Sequence, residues 1–380
     1  MTTRPIVVAA PDSFKGSISA SAAADAIASG LMRVWPGMDA RRCPMADGGE
    51  GTLDAILARG GQRRSRTVTG ASGAPTDAAY GLIEGGRIAV IEAAQAVGLT
   101  DRAGVSVDVE QRSTRGVGEL MRAALDAGVR EIMVGVGGSS TNDGGAGMLA
   151  ALGVKLLDAA GAPVDASPHG LTSIGAVDAG SLDARLAATR IVVMSDVDNP
   201  LTGARGATAI FGPQKGVAAQ RIAALDAIIG RFAALAEHAL ARRVQDRAGS
   251  GAAGGLGFAL QLIGGELRSG AEVVADLVGL DAALDGADWL ITGEGRSDAQ
   301  TLLGKTPWAV ARRARARGVP ATLLSGSVDA GALALLGEHF AGCFAIPAGP
   351  ATLEQCVSGA SALLTDRAEQ LARLFAAIHL

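Results

Sequence analysis

Short runs of β-branched and aliphatic residues alternate along the chain with longer Ala/Leu-rich stretches, and most of the runs end in Gly, Asp or Ser. That alternation predicts an α/β fold built on parallel sheet with crossover helices. The clearest runs are Ile6 to Ala10, Glu131 to Val136, Arg190 to Met194 and Trp289 to Thr292. A helical pattern follows the first, over roughly residues 19–33. A longer amphipathic helix is predicted over roughly residues 217–245, with Leu225, Ile228, Ile229, Phe232, Leu235 and Ala236 on one stripe. Its polar face carries Asp226, Arg231, Glu237 and Arg242.

Residues 62–95 read differently, as a β-rich stretch with turn signals at Ser72-Gly73-Ala74-Pro75 and at Glu84-Gly85-Gly86. We place a crossing between two domains there. Two domains also suit the length, 380 residues with 48% hydrophobic content. The Gly249 to Gly257 stretch reads equally as a hinge or linker and as a loop held against a ligand.

Charge narrows the classes of partner. Thirty-four basic and thirty-eight acidic residues are scattered without a run of either sign, which argues against a nucleic-acid or anionic-membrane surface and leaves small molecules. Gly, Asp or Arg interrupts every apolar stretch before it reaches spanning length, and the run Ile6 to Pro11 is too short for a signal peptide, so a cytoplasmic protein is expected. Cys43, Cys343 and Cys356 form no C-x-x-C pair and read as small apolar residues. The oligomeric state stays open.

The candidate chemistry lies where strands end, because ligands of open α/β sheets bind at the carboxyl ends of strands. Gly135 to Gly147 contains Gly137, Gly138, Ser139, Ser140, Thr141, Asn142 and Asp143, a density of amides and small polar groups suited to wrapping phosphate. It is not a dinucleotide fingerprint, since the third glycine is missing. Nor is Ala299 to Thr306 a Walker A loop, since Ala299 would have to be Gly. Asp196 and Asp198, two residues apart in an extended stretch, point to one side and suit Mg²⁺ or base work. Only four of the basic residues are Lys, and Lys15, Lys215 and Lys305 lie in Gly-rich or Pro/Gly-rich segments, where a mobile cation meets phosphate or carboxylate. Asp47 and Glu50, and Glu294, Arg296 and Asp298, add charge beside glycines; the carboxylates there serve metal contacts, substrate hydroxyls or plain turns. Arg296 suits a carboxylate or phosphate held bidentately.

The blocks Pro11 to Ser17, Ala46 to Thr52, Gly135 to Gly147, Asp196 to Leu201, Phe211 to Gly216, Gly251 to Gly257 and Thr292 to Lys305 together resemble the type 1 glycerate kinase family, in order and spacing from end to end. The resemblance implies two α/β domains, one of them Rossmann-like with a parallel sheet, and an active site in the interdomain cleft. With our boundary this gives residues 1–75 plus 285–380 as a discontinuous Rossmann-like domain and 76–284 as a second α/β domain inserted between its halves. It further implies ATP as donor with Mg²⁺, and D-glycerate phosphorylated at the 2-hydroxyl, the 3-hydroxyl being the alternative. In-line transfer would use Asp196 as base. Asp198, with Asp196, would hold the metal, and the 137–145 loop, Lys215 and Lys305 the phosphates. Lys15 and Arg296, counted with the catalytic residues, would grip glycerate together with Asp47, and Asp12, Ser13, Glu50, Glu294 and Asp298 would lie around the substrate. This chain departs from the family pattern at Ser140, Ser297 and Trp308, the last being bulky enough to narrow the pocket.

Two rival readings remain. A dehydrogenase acting on small hydroxy acids is disfavoured by the incomplete fingerprint, and absence of NAD binding would exclude it. A non-catalytic sensor of glycerate or nucleotide could share the fold, and turnover separates the two.

Overall fold

The computed structural model describes residues 5–379, which divide into two compact units. The first takes the chain up to Asp47, Asp54–Arg59 and the chain from Ala271 onward; the second takes Gly48–Leu53 and Gly60–Gly270.

The first unit is built on a five-stranded parallel sheet in the order Gly342–Ala345, Ala321–Ser325, Trp289–Thr292, Ile6–Ala9, Asp39–Arg42. Counted along the chain within this unit, the spatial order is 5-4-3-1-2, the doubly wound arrangement whose direction reverses between Ile6–Ala9 and Trp289–Thr292. Val7, Ile27, Leu31, Ile291, Leu324 and Leu364 lie in its core. Ala20–Val34 forms a helix close to the expected limits, and Ser19 caps it by accepting from the Ala22 amide at 3.2 Å. It packs tightly on Ala360–His379, since a Cβ at Gly30 would sit 2.1 Å from the Thr365 carbonyl oxygen.

The second unit holds a six-stranded sheet in the order Glu266–Arg268, Arg190–Met194, Glu131–Gly135, Ile88–Glu92, Pro75–Ile83, Gln62–Thr69. The first four strands are mutually parallel and the last two antiparallel. Gln62–Thr69 is an exposed edge strand, and Arg63, Arg64 and Arg66 place charge on it, which discourages edge-to-edge association.

Three expectations need correction. The boundary at 75 falls inside a hairpin, because Gln62–Thr69 pairs residue for residue with Pro75–Ile83; the chain changes unit around residues 47–60 instead. The later boundary lies near 270, since the helix Gly270–Leu277 goes with the first unit. The long helix runs only over Ile222–Ala239. It stops where Ala241 turns left-handed and the Glu237 carboxylate accepts from the amides of Val244 and Gln245. Among the described residues no helix is long and apolar enough to cross a membrane.

Candidate active site

In the first unit the polar loops converge at the switch point. The Ala10 amide donates to the Ile291 carbonyl at 2.8 Å, the Asp12 amide to the Gly293 carbonyl at 2.8 Å, and the Thr292 hydroxyl to the Ala10 carbonyl at 2.8 Å. A third loop joins through the Met45 amide and the Pro11 carbonyl, 2.9 Å apart. The charges of Asp47 and Glu294 both act on Asp12.

Asp12 is half-buried and accepts from the Ser13 amide. Burial, then the charge of Asp47, pushes its carboxyl up to about 7, opposed by the Thr306 hydroxyl and the Ser13 amide. Glu294 is held above its ordinary range by burial, against two hydroxyl donors on one oxygen: Thr301 at 2.7 Å and Ser297 at 3.0 Å. Its other oxygen stands 4.0 Å from the Lys305 ammonium. Ser297 is itself fixed by the Ser325 hydroxyl at 2.8 Å.

Asp298 caps the turn Ala299–Leu302, accepting from Gln300 at 2.9 Å, while Thr301 returns a contact to the Asp298 amide; its carboxylate lies 4.0 Å from Lys305. Arg296 is exposed and loosely placed, 3.9 Å from both Asp298 and Asp329, and Lys15 is exposed as well. This unit thus gathers Asp12, Ser13, Asp47, Glu294, Asp298 and Lys305, with two exposed cations on the loops beside them. Trp308 packs edge-on against His339, their ring centres 4.5 Å apart.

In the second unit the Gly-rich loop is buried and braced from within. Lys215 is almost wholly buried, and its ammonium donates to the Thr141 carbonyl at 2.7 Å and the Ser139 hydroxyl at 3.1 Å. Burial pulls its pKa down to about 7, with the charge of Asp143 opposing and that of Arg112 assisting. Asp143 faces inward. It accepts from the Thr114 amide and hydroxyl and from the amides of Gly145 and Gly147, at 2.7–3.1 Å, so its carboxylate shapes the loop. Ser140 likewise turns inward to the Val97 carbonyl at 2.9 Å. The buried Thr141 hydroxyl and the Asn142 side-chain carbonyl have no hydrogen-bond partner, while the Asn142 amide donates to Thr208 at 3.0 Å. Unpaired buried acceptors of this kind are what water or a ligand satisfies.

The glycines do a different job from the one expected. A Cβ at Gly135 would lie 2.5 Å from the Gly48 carbonyl, and one at Gly137 2.6 Å from the Gly49 Cα, so these residues let two backbone segments touch. Gly137 and Gly48 are also joined directly by an amide–carbonyl bond of 3.1 Å. The 249–257 segment is neither hinge nor linker: a Cβ at Gly254 would meet the Thr141 carbonyl at 2.1 Å, and the Gly254 carbonyl accepts from the Gly144 amide at 2.9 Å. It braces the loop from behind.

Gly138 is half-buried with its backbone left-handed, and Glu50 accepts from the Thr100 hydroxyl at 3.4 Å. Asp196 and Asp198 are exposed after Arg190–Met194, Asp198 lying 3.5 Å from Arg205. No cluster of three or more His, Cys, Asp or Glu fit for a metal occurs among the described residues.

Sequence reasoning missed Arg112, which donates to the carbonyls of Val105, Val107, Ser140 and Lys215 at 2.9–3.1 Å and ties the loop to Lys215. One Arg among thirty carries no local signal. Thr114, Thr301 and Ser325 were missed for the same reason, since hydroxyls acting across the fold leave no spacing to read.

The chain matches the glycerate kinase family over residues 7–376. It is 43% identical over 373 residues to a glycerate kinase of Bacillus subtilis (strain 168), covering 96% of each chain. It is 42% identical over 324 residues to a glycerate 2-kinase of Escherichia coli (strain K12), covering 85% of each. A crystal structure described as a glycerate kinase 2 from Salmonella typhimurium LT2 superposes with a TM-score of 0.86 at 42% identity over 99% of both chains. With the loop, the carboxylate cluster and the doubly wound sheet all lying inside the matched span, the chain belongs to the glycerate kinase family.

Proposed function

We propose that the protein transfers the terminal phosphoryl group of ATP to the 2-hydroxyl of D-glycerate, giving 2-phospho-D-glycerate and ADP. The observation that carries this reading is the cluster of Asp12, Asp47 and Glu294 beside Lys305 at the switch point of the first unit. A polyhydroxy acid needs carboxylates to hold its hydroxyls and cations to hold its own carboxylate, and that cluster with Lys15 and Arg296 supplies both. The names of the Bacillus and Escherichia relatives agree with the substrate, and the second with the 2-hydroxyl.

Asp12 is a better base than the exposed Asp196, because a carboxyl that titrates near neutral pH both ionises under working conditions and accepts a proton readily. Asp47 and Glu294 then orient the acceptor. In the second unit, Ser139, Thr141 and Lys215 are the groups suited to hold phosphate oxygens of the donor. Asp196 and Asp198 are the residues that would hold Mg²⁺, whose chemistry when bound is to neutralise phosphate charge. Location in the cytoplasm fits such a metabolic role.

The test is incubation of purified protein with Mg-ATP and D-glycerate, with ADP release followed and the product isomer identified by phosphorus NMR. Formation of 2-phosphoglycerate supports the proposal. A 3-phosphoglycerate signal keeps the kinase and overturns the acceptor geometry, whereas no ADP above a glycerate-free control overturns the reading.

A further inference from the structure

At the end of the helix Ile222–Ala239 the second unit holds a cavity of ≈ 910 Å³, and none of its lining residues has a place in the reaction described above. That volume lies in the range of small-molecule sites, roughly 300–1,000 Å³. Its wall is drawn from one stretch of chain, residues 234–247, folded back on itself. Ala241 makes the reversal with a φ of 51°, a conformation that a residue with a Cβ adopts only under constraint. The Arg242 amide secures it by donating to the Glu237 carbonyl at 3.1 Å.

Three arginines line the cavity, Arg242, Arg243 and Arg247, and all three are exposed. Among the described residues their guanidinium groups have no carboxylate within 4.0 Å and no hydrogen-bond acceptor. Elsewhere in the same unit Arg185, Arg190, Arg205 and Arg221 each meet a carboxylate at 2.6–3.5 Å. Arginine near a helix C-terminus ordinarily answers the exposed carbonyls of the last turn. Here the carbonyls of Ala236, Glu237 and His238 already accept from the amides of Leu240, Arg242 and Ala241 at 3.0–3.3 Å, so the guanidinium groups are left for something else. Two carboxylates also face the cavity. Glu237 is engaged, one oxygen accepting from the Val244 and Gln245 amides at 2.6 and 2.7 Å, and Asp246 lies beyond ion-pair reach of every arginine. Positive charge is therefore in excess. No aromatic ring and no Leu, Ile or Met lines the wall, which leaves nothing for a flat apolar body to lie against.

The wall is also tied to the loop that follows Arg190–Met194. The Leu201 amide donates to the Gln245 carbonyl at 3.0 Å, and the Gly251 amide to the Asn199 carbonyl at 2.9 Å. A Cβ at Gly249 would lie 3.2 Å from the Val197 carbonyl oxygen. A molecule that fixes residues 240–248 thus restrains residues 197–201, which include Asp198.

We propose that this cavity is an effector site for a phosphorylated, hydroxyl-rich small molecule, its phosphate held by Arg242, Arg243 and Arg247, and that its occupant restrains the 197–201 segment. The arginine fork matches phosphate oxygens in pairs, and the polar wall suits hydroxyl groups. The site stands apart from the kinase reading, since none of its residues serves that reaction.

Inorganic pyrophosphate is the probe, titrated by calorimetry into the full chain. The Arg242→Gln, Arg247→Gln double variant binds it about tenfold or more weakly, what losing hydrogen bonds to a charged group gives, and keeps its turnover without pyrophosphate within about twofold. Arg87→Gln with Arg130→Gln removes the same charge from exposed positions where two other strands begin, and binding there stays within about twofold. Equal losses in the two double variants, or no loss in the first, overturn the proposal.

Hydrogen exchange locates the ion. Pyrophosphate slows exchange in peptides covering residues 240–250 and 197–203 of the unmodified chain, and does not in the Arg242→Gln, Arg247→Gln variant. Protection confined to the 137–145 loop overturns the site, and protection confined to 240–250 overturns the coupling.

Discussion

The Lys215 ammonium donates to the Thr141 carbonyl oxygen at 2.7 Å from within a site where the side chain is 4% exposed. Burial there costs the charged form its hydration, which is why its pKa falls to about 7. A phosphate drawn to this ammonium restores the charge. Nucleotide binding above pH 7 is therefore accompanied by proton uptake, and affinity falls as pH rises through about 7 toward 9. Calorimetry at pH 8 in two buffers of different ionisation enthalpy reads the uptake directly. Lys215→Met abolishes it, and a proton count that survives in Lys215→Met assigns the uptake elsewhere.

Asp12 makes the opposite pH argument. Its folded-state pKa is raised from 3.8 to about 7, so the folded chain holds a proton that the unfolded chain has lost, and stability falls as pH rises between those values. Asp12→Asn removes that penalty together with the repulsion from Asp47. The variant is expected to melt several degrees above the unmodified protein at pH 8 and to show little gain at pH 4. It loses most of its turnover if Asp12 is the base. Equal melting shifts at both pH values would show that the ionised carboxylate is not under strain.

How far the sequence reaches is visible in these two residues. Strand ends near Ala10, Val136, Met194 and Thr292 are legible because β-branched runs stop at Gly, Asp or Ser, and Lys15, Lys215 and Lys305 stand out in a chain that otherwise uses Arg. The hairpin was legible as strands but not as part of the larger sheet, since a turn at 70–74 looks the same whether it joins strands or domains. The direction of each polar side chain was not legible. Asp143 and Ser140 sit in a loop whose composition suggests phosphate, yet both face inward, and only the Thr114 and Val97 groups they meet decide it. The glycines misled for a related reason, because close approach to a ligand and close approach to another backbone demand the same residue.

Arg112 offers a stability test of the braced loop. Its guanidinium donates to four carbonyls, two of which belong to Ser140 and Lys215, and an aliphatic replacement leaves these without their donor. Arg112→Met is expected to cost about 3 kcal/mol or more in urea unfolding, and to weaken ATP binding more than glycerate binding. Arg112→Lys recovers little, because one ammonium cannot reproduce the planar fork. Full rescue by Lys would show that charge, not the geometry of the lacing, matters here.

Ser297 fixes one oxygen of Glu294 at 3.0 Å and is in turn fixed by Ser325 at 2.8 Å, which leaves the second Glu294 oxygen, 4.0 Å from Lys305, as the one open to a ligand. Ser297→Ala removes a donor to a carboxylate and takes from the buried Ser325 hydroxyl its 2.8 Å partner, leaving it the Glu294 amide at 3.4 Å. Thr301 still holds Glu294 at 2.7 Å, so the carboxylate loosens without leaving. The expected loss in kcat/KM for glycerate is about tenfold, the worth of one hydrogen bond to a charged group, carried mainly by KM. Ser297→Thr keeps the hydroxyl and should restore most of it. A variant lacking the hydroxyl with unchanged KM for glycerate would mean that Thr301 alone orients Glu294.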